Sequence, residues 1–199
     1  MNRAILYFIR HGKTEFNEKR LYCGSSDISL SSLGIKELKE KIKNTRYKKA
    51  KLNFTSGMKR ANETFNLIYG QDKFSVLKGF KEFDFGDFEG KSYYDLKENK
   101  DYIAWIEDKT GKIKCPNGES KEIFYKRIEK QLNDLIIEIN KKGEKEGVIV
   151  CHGGTIGTLL ELFSDTEDYF YNLQPECGGG YKVEVVIDKK IYIEILEEF

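Results

Sequence analysis

The chain has 199 residues with 34 Lys+Arg against 33 Asp+Glu, a formal net charge of +1, which removes the global basic excess of a protein that lives on nucleic acid or an anionic membrane. At about 150 residues per domain, this length suits one domain or one domain carrying an insertion. A hydrophobic fraction of 39% with only two prolines excludes a disordered chain and is enough for a substantial core.

The apolar run 4–9 (Ala-Ile-Leu-Tyr-Phe-Ile) does not alternate, which predicts a central strand covered on both faces by helices. Residues 31–43 carry Leu33, Ile35, Leu38 and Ile42 at helical spacing. The basic cluster 36–51, interleaved with Glu37 and Glu40, reads as a solvated face. A strand is predicted at 52–55, a helix at 57–69 with Met58, Ala61, Phe65 and Ile68 inward, and a strand at 74–77. The segment 90–115 breaks this rhythm: Tyr93, Tyr94, Tyr102 and Trp105 among many charges predict an insertion of short helices. The longest helix is predicted over 120–140, with Ile123, Phe124, Ile128, Leu132, Leu135, Ile136 and Ile139 on one stripe, bounded by Pro116-Asn117-Gly118 and Gly143. A second buried strand at 148–151 and a helix at 156–163 follow. Residues 181–187 and 191–196 then form a hairpin at one sheet edge through Asp188-Lys189-Lys190. Strands alternating with helices predict a three-layer α/β/α sandwich with a mostly parallel central sheet. It is read as one domain over 1–199 with a small helical insertion at about 90–118.

Cys23, Cys115, Cys151 and Cys177 are scattered, with no Cys-x-x-Cys pair. They fit neither a zinc site nor a disulfide framework and read as reduced thiols in a cytoplasm. The run 4–9 is too short for a signal peptide and leads into charge, and no apolar run nears the roughly 20 residues that cross a bilayer. No nucleic-acid or membrane partner is therefore expected.

The only two histidines occupy matching places: His11 follows one buried strand and precedes Gly12, and His152 follows the other and precedes Gly153-Gly154. In an open parallel sheet, ligands bind beyond the carboxyl ends of the strands. Two strands ending in His-Gly therefore bring both imidazoles to that rim, where glycine lets backbone approach a ligand and a following helix offers free N–H groups to an anion. A single histidine in such a place would more often be an ordinary core or surface residue. Arg10 precedes His11, and Arg60 opens the helix after Phe54-Thr55-Ser56. A guanidinium presents a fixed fork of donors that matches phosphate oxygens. Salt bridges to acids such as Glu63 would explain either arginine alone, but not the placing of both at strand ends. Two arginines converging with two histidines point to a phosphoryl site.

These residues lie in a longer pattern. Arg10-His11-Gly12-Lys13-Thr14-Glu15-Phe16-Asn17 resembles the Arg-His-Gly-x-Thr-x-x-Asn signature of the histidine phosphatase (phosphoglycerate mutase-like) superfamily. Further blocks resemble the family in order: the one from Gly24 to Gly34, Ser56-Gly57-Met58-Lys59-Arg60-Ala61, Glu82-Phe83-Asp84-Phe85-Gly86-Asp87-Phe88-Glu89-Gly90, Gly118-Glu119-Ser120 and His152-Gly153-Gly154. The resemblance spans nearly the whole chain. It implies that His11 is the nucleophile and becomes phosphohistidine, that Arg10, Arg60 and His152 hold phosphoryl oxygens, and that Glu82 protonates the leaving group. It also implies that Asn17 adds a hydrogen bond and that Cys23, Gly24 and Gly153 contact phosphate or substrate. Spacing alone leaves Asp84, Asp87 and Glu89 as rivals to Glu82. No metal or other cofactor is implied, the arginines neutralising the charge that a Mg²⁺ ion would otherwise meet.

Phosphoglycerate mutases of this family carry Glu-Arg-x-Tyr-Gly where this chain has Glu82-Phe83-Asp84-Phe85-Gly86, and they bring further arginines in the insertion, whereas here no arginine lies between Ala61 and Lys126. Hydrolysis of a small phosphorylated metabolite is therefore favoured over the alternative, a cofactor-dependent phosphoglycerate mutase. A low-activity regulatory or binding protein on the same fold is a second alternative, against which the intact set of site residues argues. The blocks around 85–93, 102–106 and 175–181 look most like bacterial α-ribazole-5′-phosphate phosphatases. Aromatic side chains of the insertion would either stack on that substrate's flat base or pack the insertion onto the domain.

Overall fold

Leu6 and Phe8 of the first strand enter one cluster of buried apolar side chains, while Tyr7 and Ile9, which alternate with them, enter another. In the computed structural model, which describes residues 2–199, this strand is β1 (Asn2–Arg10). It is followed by α1 (Glu15–Glu18), α2 (Ser32–Asn44), β2 (Asn53–Thr55), α3 (Lys59–Tyr69) and β3 (Ser75–Val76). The insertion contributes α4 (Tyr93–Leu96) and α5 (Lys100–Ile106), and then come α6 (Lys121–Lys141), β4 (Glu146–Cys151), α7 (Gly153–Phe163), β5 (Gly180–Ile187) and β6 (Ile191–Glu198). Short 3₁₀ turns occupy Lys78–Phe80 and Gly86–Phe88.

The two clusters are the two faces of a six-stranded sheet ordered β3-β2-β4-β1-β5-β6. Ile128, Leu132, Leu135, Ile136 and Ile139 of α6 and Ile156, Leu159 and Leu160 of α7 cover one face; Ala61, Phe65 and Tyr69 of α3 cover the other. Removing each large apolar side chain from water contributes about 1.5–3 kcal/mol, which is why the central strands read as unbroken apolar runs. The ladders from β3 to β1 are parallel, and those joining β1, β5 and β6 are antiparallel. The sheet is thus mostly parallel, with the expected hairpin at its edge. Serine side chains start the main helices: Ser31 accepts from Gly34 N and Ser120 from Ile123 N, satisfying donors that the first turn leaves free.

One detail of register places the chemistry. Arg10 of β1 lies opposite Cys151 of β4, so His11 and His152 emerge side by side, and His11 N donates to Cys151 O at 3.0 Å. The chain leaving β1 passes to the α3 face, where Gly12 N donates to Thr64 Oγ1 and Leu30 N to the Glu63 carboxylate, while α7 covers the opposite face, which opens a crevice between the two strand ends.

Several expectations need correction. The helix predicted at 156–163 starts at Gly153, because two glycines that weaken the helix pattern form its first turn directly after His152. The strand predicted at 74–77 shrinks to Ser75–Val76 at the sheet edge. Leu33 and Ile123, expected inward, stand on first turns and face solvent, while Leu38 and Phe124 take the core positions. The strand–His–Gly symmetry is incomplete: His152 leads straight into α7, whereas His11 leads into a loop and the four-residue α1, which is too short to carry an apolar period. In the insertion Tyr102 and Trp105 are buried against Tyr22, Phe83, Phe85 and Phe88, so these two pack the insertion onto the domain, and of its aromatic residues Tyr93 and Tyr94 are exposed. The four cysteines are free, and among the described residues no helix is long and apolar enough to cross a membrane.

Candidate active site

The sheet register sets His11 and His152 with ring centroids 5.2 Å apart, both almost fully buried. His11 Nδ1 lies 2.6 Å from the Gly12 carbonyl oxygen. A carbonyl only accepts, so Nδ1 carries the ring proton and Nε2 keeps its lone pair. Arg60 Nε donates to that lone pair at 3.2 Å. Burial, then the Arg60 and Arg10 charges, holds the His11 pKa well below the usual imidazole range. A buried neutral imidazole beside fixed cations is the attacking form of a nitrogen nucleophile.

Arg60 is fully buried on the first turn of α3 and is aimed by the loop after α1: Nη1 donates to Ser26 O at 2.7 Å and Nη2 to Gly24 O at 2.8 Å. That loop is itself held by Glu89, whose carboxylate accepts from Gly24 N, Ser25 N, Ser26 N and Phe85 N. Arg10 Nη1 donates to Pro175 O at 2.8 Å, while its Nε is buried without a partner. His152 Nε2 is 2.8 Å from Ser56 Oγ, and Ser56 Oγ also accepts from Met58 N. With Ser56 Oγ donating its one proton to Nε2, the ring proton sits on Nδ1. That Nδ1 is likewise buried without a partner. A buried donor left unpaired costs about 1–3 kcal/mol, so Arg10 Nε and His152 Nδ1 gain most from an anion with several acceptor oxygens.

Glu82 is mounted over the first turn of α7. Its Oε2 accepts from Gly154 N at 2.8 Å and its Oε1 from Phe83 N at 3.0 Å. Burial raises its pKa, outweighing these two donors and the Arg60 and Arg10 charges that pull the other way. A carboxyl that holds its proton more tightly than usual beside a cationic cage is suited to protonate a departing oxygen. Its sequence rivals are engaged elsewhere: Asp84 accepts from Ser25 Oγ and Gly86 N, Asp87 from Asn117 Nδ2, and Glu89 from the loop.

The model of the family described as "Histidine phosphatase superfamily (branch 1)" matches residues 6–177. The chain belongs to this superfamily. A Hydrogenobacter thermophilus relative named "Putative phosphoserine phosphatase 2" is 29% identical over 193 residues, 94% of this chain and 93% of that protein. A phosphoglycerate mutase of Schizosaccharomyces pombe is 31% identical over 197 residues, 93% of this chain and 90% of its own. The adenosylcobalamin/alpha-ribazole phosphatase of Salmonella typhimurium is 31% identical over 160 residues, 78% of this chain and 75% of its own. The solved alpha-ribazole phosphatase of Shigella flexneri shares the fold, with a TM-score of 0.77 at 23% identity over 96% of this chain and 95% of its own.

In this member of the superfamily the remaining sequence candidates take distinct places. Asn17 Oδ1 accepts from Thr14 N and Thr14 Oγ1 in the cap of α1, which leaves its amide NH₂ as the group available to a ligand. Gly24 gives its N–H to Glu89 and its carbonyl to Arg60, so its backbone shapes the cage. Cys23 is half-buried, its thiol pKa raised by burial against the opposing Arg60 charge. Gly153 lies against Arg10, whose Cζ and Nε would be 2.9 Å from a Cβ there. Ser56 and the anchoring role of Glu89 were not legible, because each acts through hydrogen bonds between segments far apart in sequence.

Gly154 offers a direct test of the Glu82 mount. An added Cβ would sit 2.5 Å from Glu82 Oε1, whereas alanine is intrinsically the better helix former by roughly 1 kcal/mol. Gly154→Ala is expected to keep the fold yet lower kcat/KM for an alkyl phosphomonoester by about 100-fold, the scale of a 1 Å misplacement. Unchanged kinetics would mean that the carboxylate position does not matter.

Proposed function

We propose that the protein hydrolyses small phosphomonoesters in the cytoplasm without a metal ion, through a covalent phosphohistidine at His11. The observation that carries this reading is the fixed tautomer of His11, with its Nε2 lone pair inside a cage of Arg10, Arg60 and His152. In the first step Nε2 forms the bond to phosphorus, the P–O bond to the leaving group breaks, and the Glu82 proton passes to the departing oxygen. Glu82, now a carboxylate, then takes a proton from water as the water oxygen attacks phosphorus and the N–P bond breaks. Phosphate leaves with His11 neutral and Glu82 reprotonated. Fixed donors around the transferring group stabilise charge on its equatorial oxygens in both steps.

Hydrolysis is preferred to mutase chemistry because no arginine lies between Ala61 and Lys126 to anchor a phosphoglycerate carboxylate. The name of the Salmonella relative supports α-ribazole 5′-phosphate as the first substrate to test, while burial of Tyr102 and Trp105 removes them as stacking partners for its base. Hydrolysis of p-nitrophenyl phosphate is expected to be unchanged by EDTA; loss of activity that returns with added metal would overturn the metal-free mechanism. With 3-phosphoglycerate and 2,3-bisphosphoglycerate, no 2-phosphoglycerate should form. Among natural esters, α-ribazole 5′-phosphate should show the highest kcat/KM, and phosphoserine is the comparison that would displace it. A protein that turned over no phosphomonoester at all would instead be a binding or regulatory member of the family.

A further inference from the structure

Arg127 lies in the second turn of α6 with all five of its guanidinium N–H groups engaged. Nε donates to Glu119 Oε1 at 2.7 Å and Nη2 to Glu119 Oε2 at 2.9 Å. Nη1 donates to Gly79 O at 2.9 Å and Lys81 O at 2.8 Å, and Nη2 to Glu82 O at 2.7 Å. Five donors meeting five acceptors leave none for a substrate. Three of those acceptors are main-chain carbonyls of the segment that carries Glu82. Glu119 secures the other side of the same residue: its Oε2 accepts from Asp84 N at 3.1 Å, and its own N donates to Asp84 O at 2.9 Å. Beyond the 3₁₀ turn Lys78–Phe80 this segment has no regular structure, so its carbonyls depend on side chains for partners.

We propose that the Arg127–Glu119 pair is the mount that fixes Glu82 for proton delivery, and that Arg127 is a positioning residue for protonation of the leaving group. The inference rests on Glu82 being the acid. A planar fork alone can satisfy three carbonyls and a carboxylate at once; lysine has at most three donors and no fixed plane. Both partners are largely shielded, with side chains 23% and 15% exposed, so the geometry is held against solvent.

The leaving group separates this role from a merely structural one. p-Nitrophenolate departs readily without a proton, whereas an alkoxide needs one, and kcat/KM stops at the first irreversible step and so excludes hydrolysis of the phosphoenzyme. Glu82→Gln sets the scale: its loss on glycerol 2-phosphate should exceed its loss on p-nitrophenyl phosphate by about 100-fold, within the usual contribution of a general acid. Arg127→Met and Glu119→Gln should each show a discrimination of the same sign of at least about tenfold. Arg127→Lys should restore thermal stability yet still show the discrimination. The double variant Glu82→Gln/Arg127→Met should lose no more on glycerol 2-phosphate than Glu82→Gln alone, once each is divided by its p-nitrophenyl phosphate value. Should Arg127→Met fail to fold, the near-isosteric Glu119→Gln carries the test. Equal fractional losses on both esters in the clamp variants, with discrimination intact in Glu82→Gln, overturn the clamp and leave the acid assignment standing. Absence of discrimination in Glu82→Gln itself removes the acid assignment, and the clamp falls with it.

Discussion

Replacing His11 by alanine is expected to lower p-nitrophenyl phosphate turnover by about 10⁴-fold or more, the scale on which removal of a covalent nucleophile is felt. The size follows from the site. His152 has its Nε2 against Ser56 Oγ, and its pKa, like that of His11, is held well below the usual range by burial and then by Arg60. Its Nε2 is held at the Ser56 hydroxyl and not at the place that His11 Nε2 takes beside Arg60 Nε, so it is not expected to replace His11 as nucleophile. The cage and Glu82 would remain in the variant, so any residual rate measures charge stabilisation without covalent catalysis. The same variant must fail to take label from a radioactive phosphomonoester, whereas the native protein, quenched in alkaline denaturant, should carry one acid-labile phosphoryl group. Substantial turnover by the variant would exclude the phosphohistidine pathway.

Arg60→Ala should produce the next largest effect, a fall in kcat of about 10²–10³-fold, as when a preorganised donor to a developing anion is removed. The variant loses more than charge. The carbonyls of Gly24 and Ser26 lose their donors, and His11 Nε2 loses the N–H that orients it. It should also change the pH profile. His11 acts in its neutral form, and after burial the Arg60 charge is the largest influence holding its pKa down. Without that charge the pKa rises toward about 6.5, so activity on the acid side is lost at higher pH than in the native protein. Arg60→Lys keeps a positive charge but lacks the fork. Its acid limb should stay near the native position while kcat remains low. An unshifted acid limb in Arg60→Ala would mean that Arg60 does not keep His11 deprotonated.

Much of this arrangement is legible in the sequence, for reasons that differ by element. Strands β1 and β4 announce themselves because burial on both faces demands unbroken apolar runs. His11 and His152 stand out because they end those runs. The sheet hairpin follows from two apolar segments around Asp188-Lys189-Lys190. The first turn of α7 escapes detection, since Gly153 and Gly154 weaken the helix pattern for the sake of Arg10 and Glu82, which press against them. The fate of Trp105 and Tyr102 is open in the sequence because an aromatic side chain looks the same whether it meets a ligand or the protein core. Arg127 reads as one more charge on an amphipathic helix, and only its five acceptors, drawn from residues 79 to 119, give it a role.

The pairing of Arg10 with Cys151 has a consequence for how such a protein can diversify. The two imidazoles owe their spacing to neighbouring backbone ladders, and the long stretch of chain between them is free of that duty. Segments that meet the rest of a substrate can therefore lengthen, shorten or change composition while the bond-breaking apparatus keeps its dimensions. Relatives bearing the names of quite different phosphorylated compounds are what such a division of labour would yield.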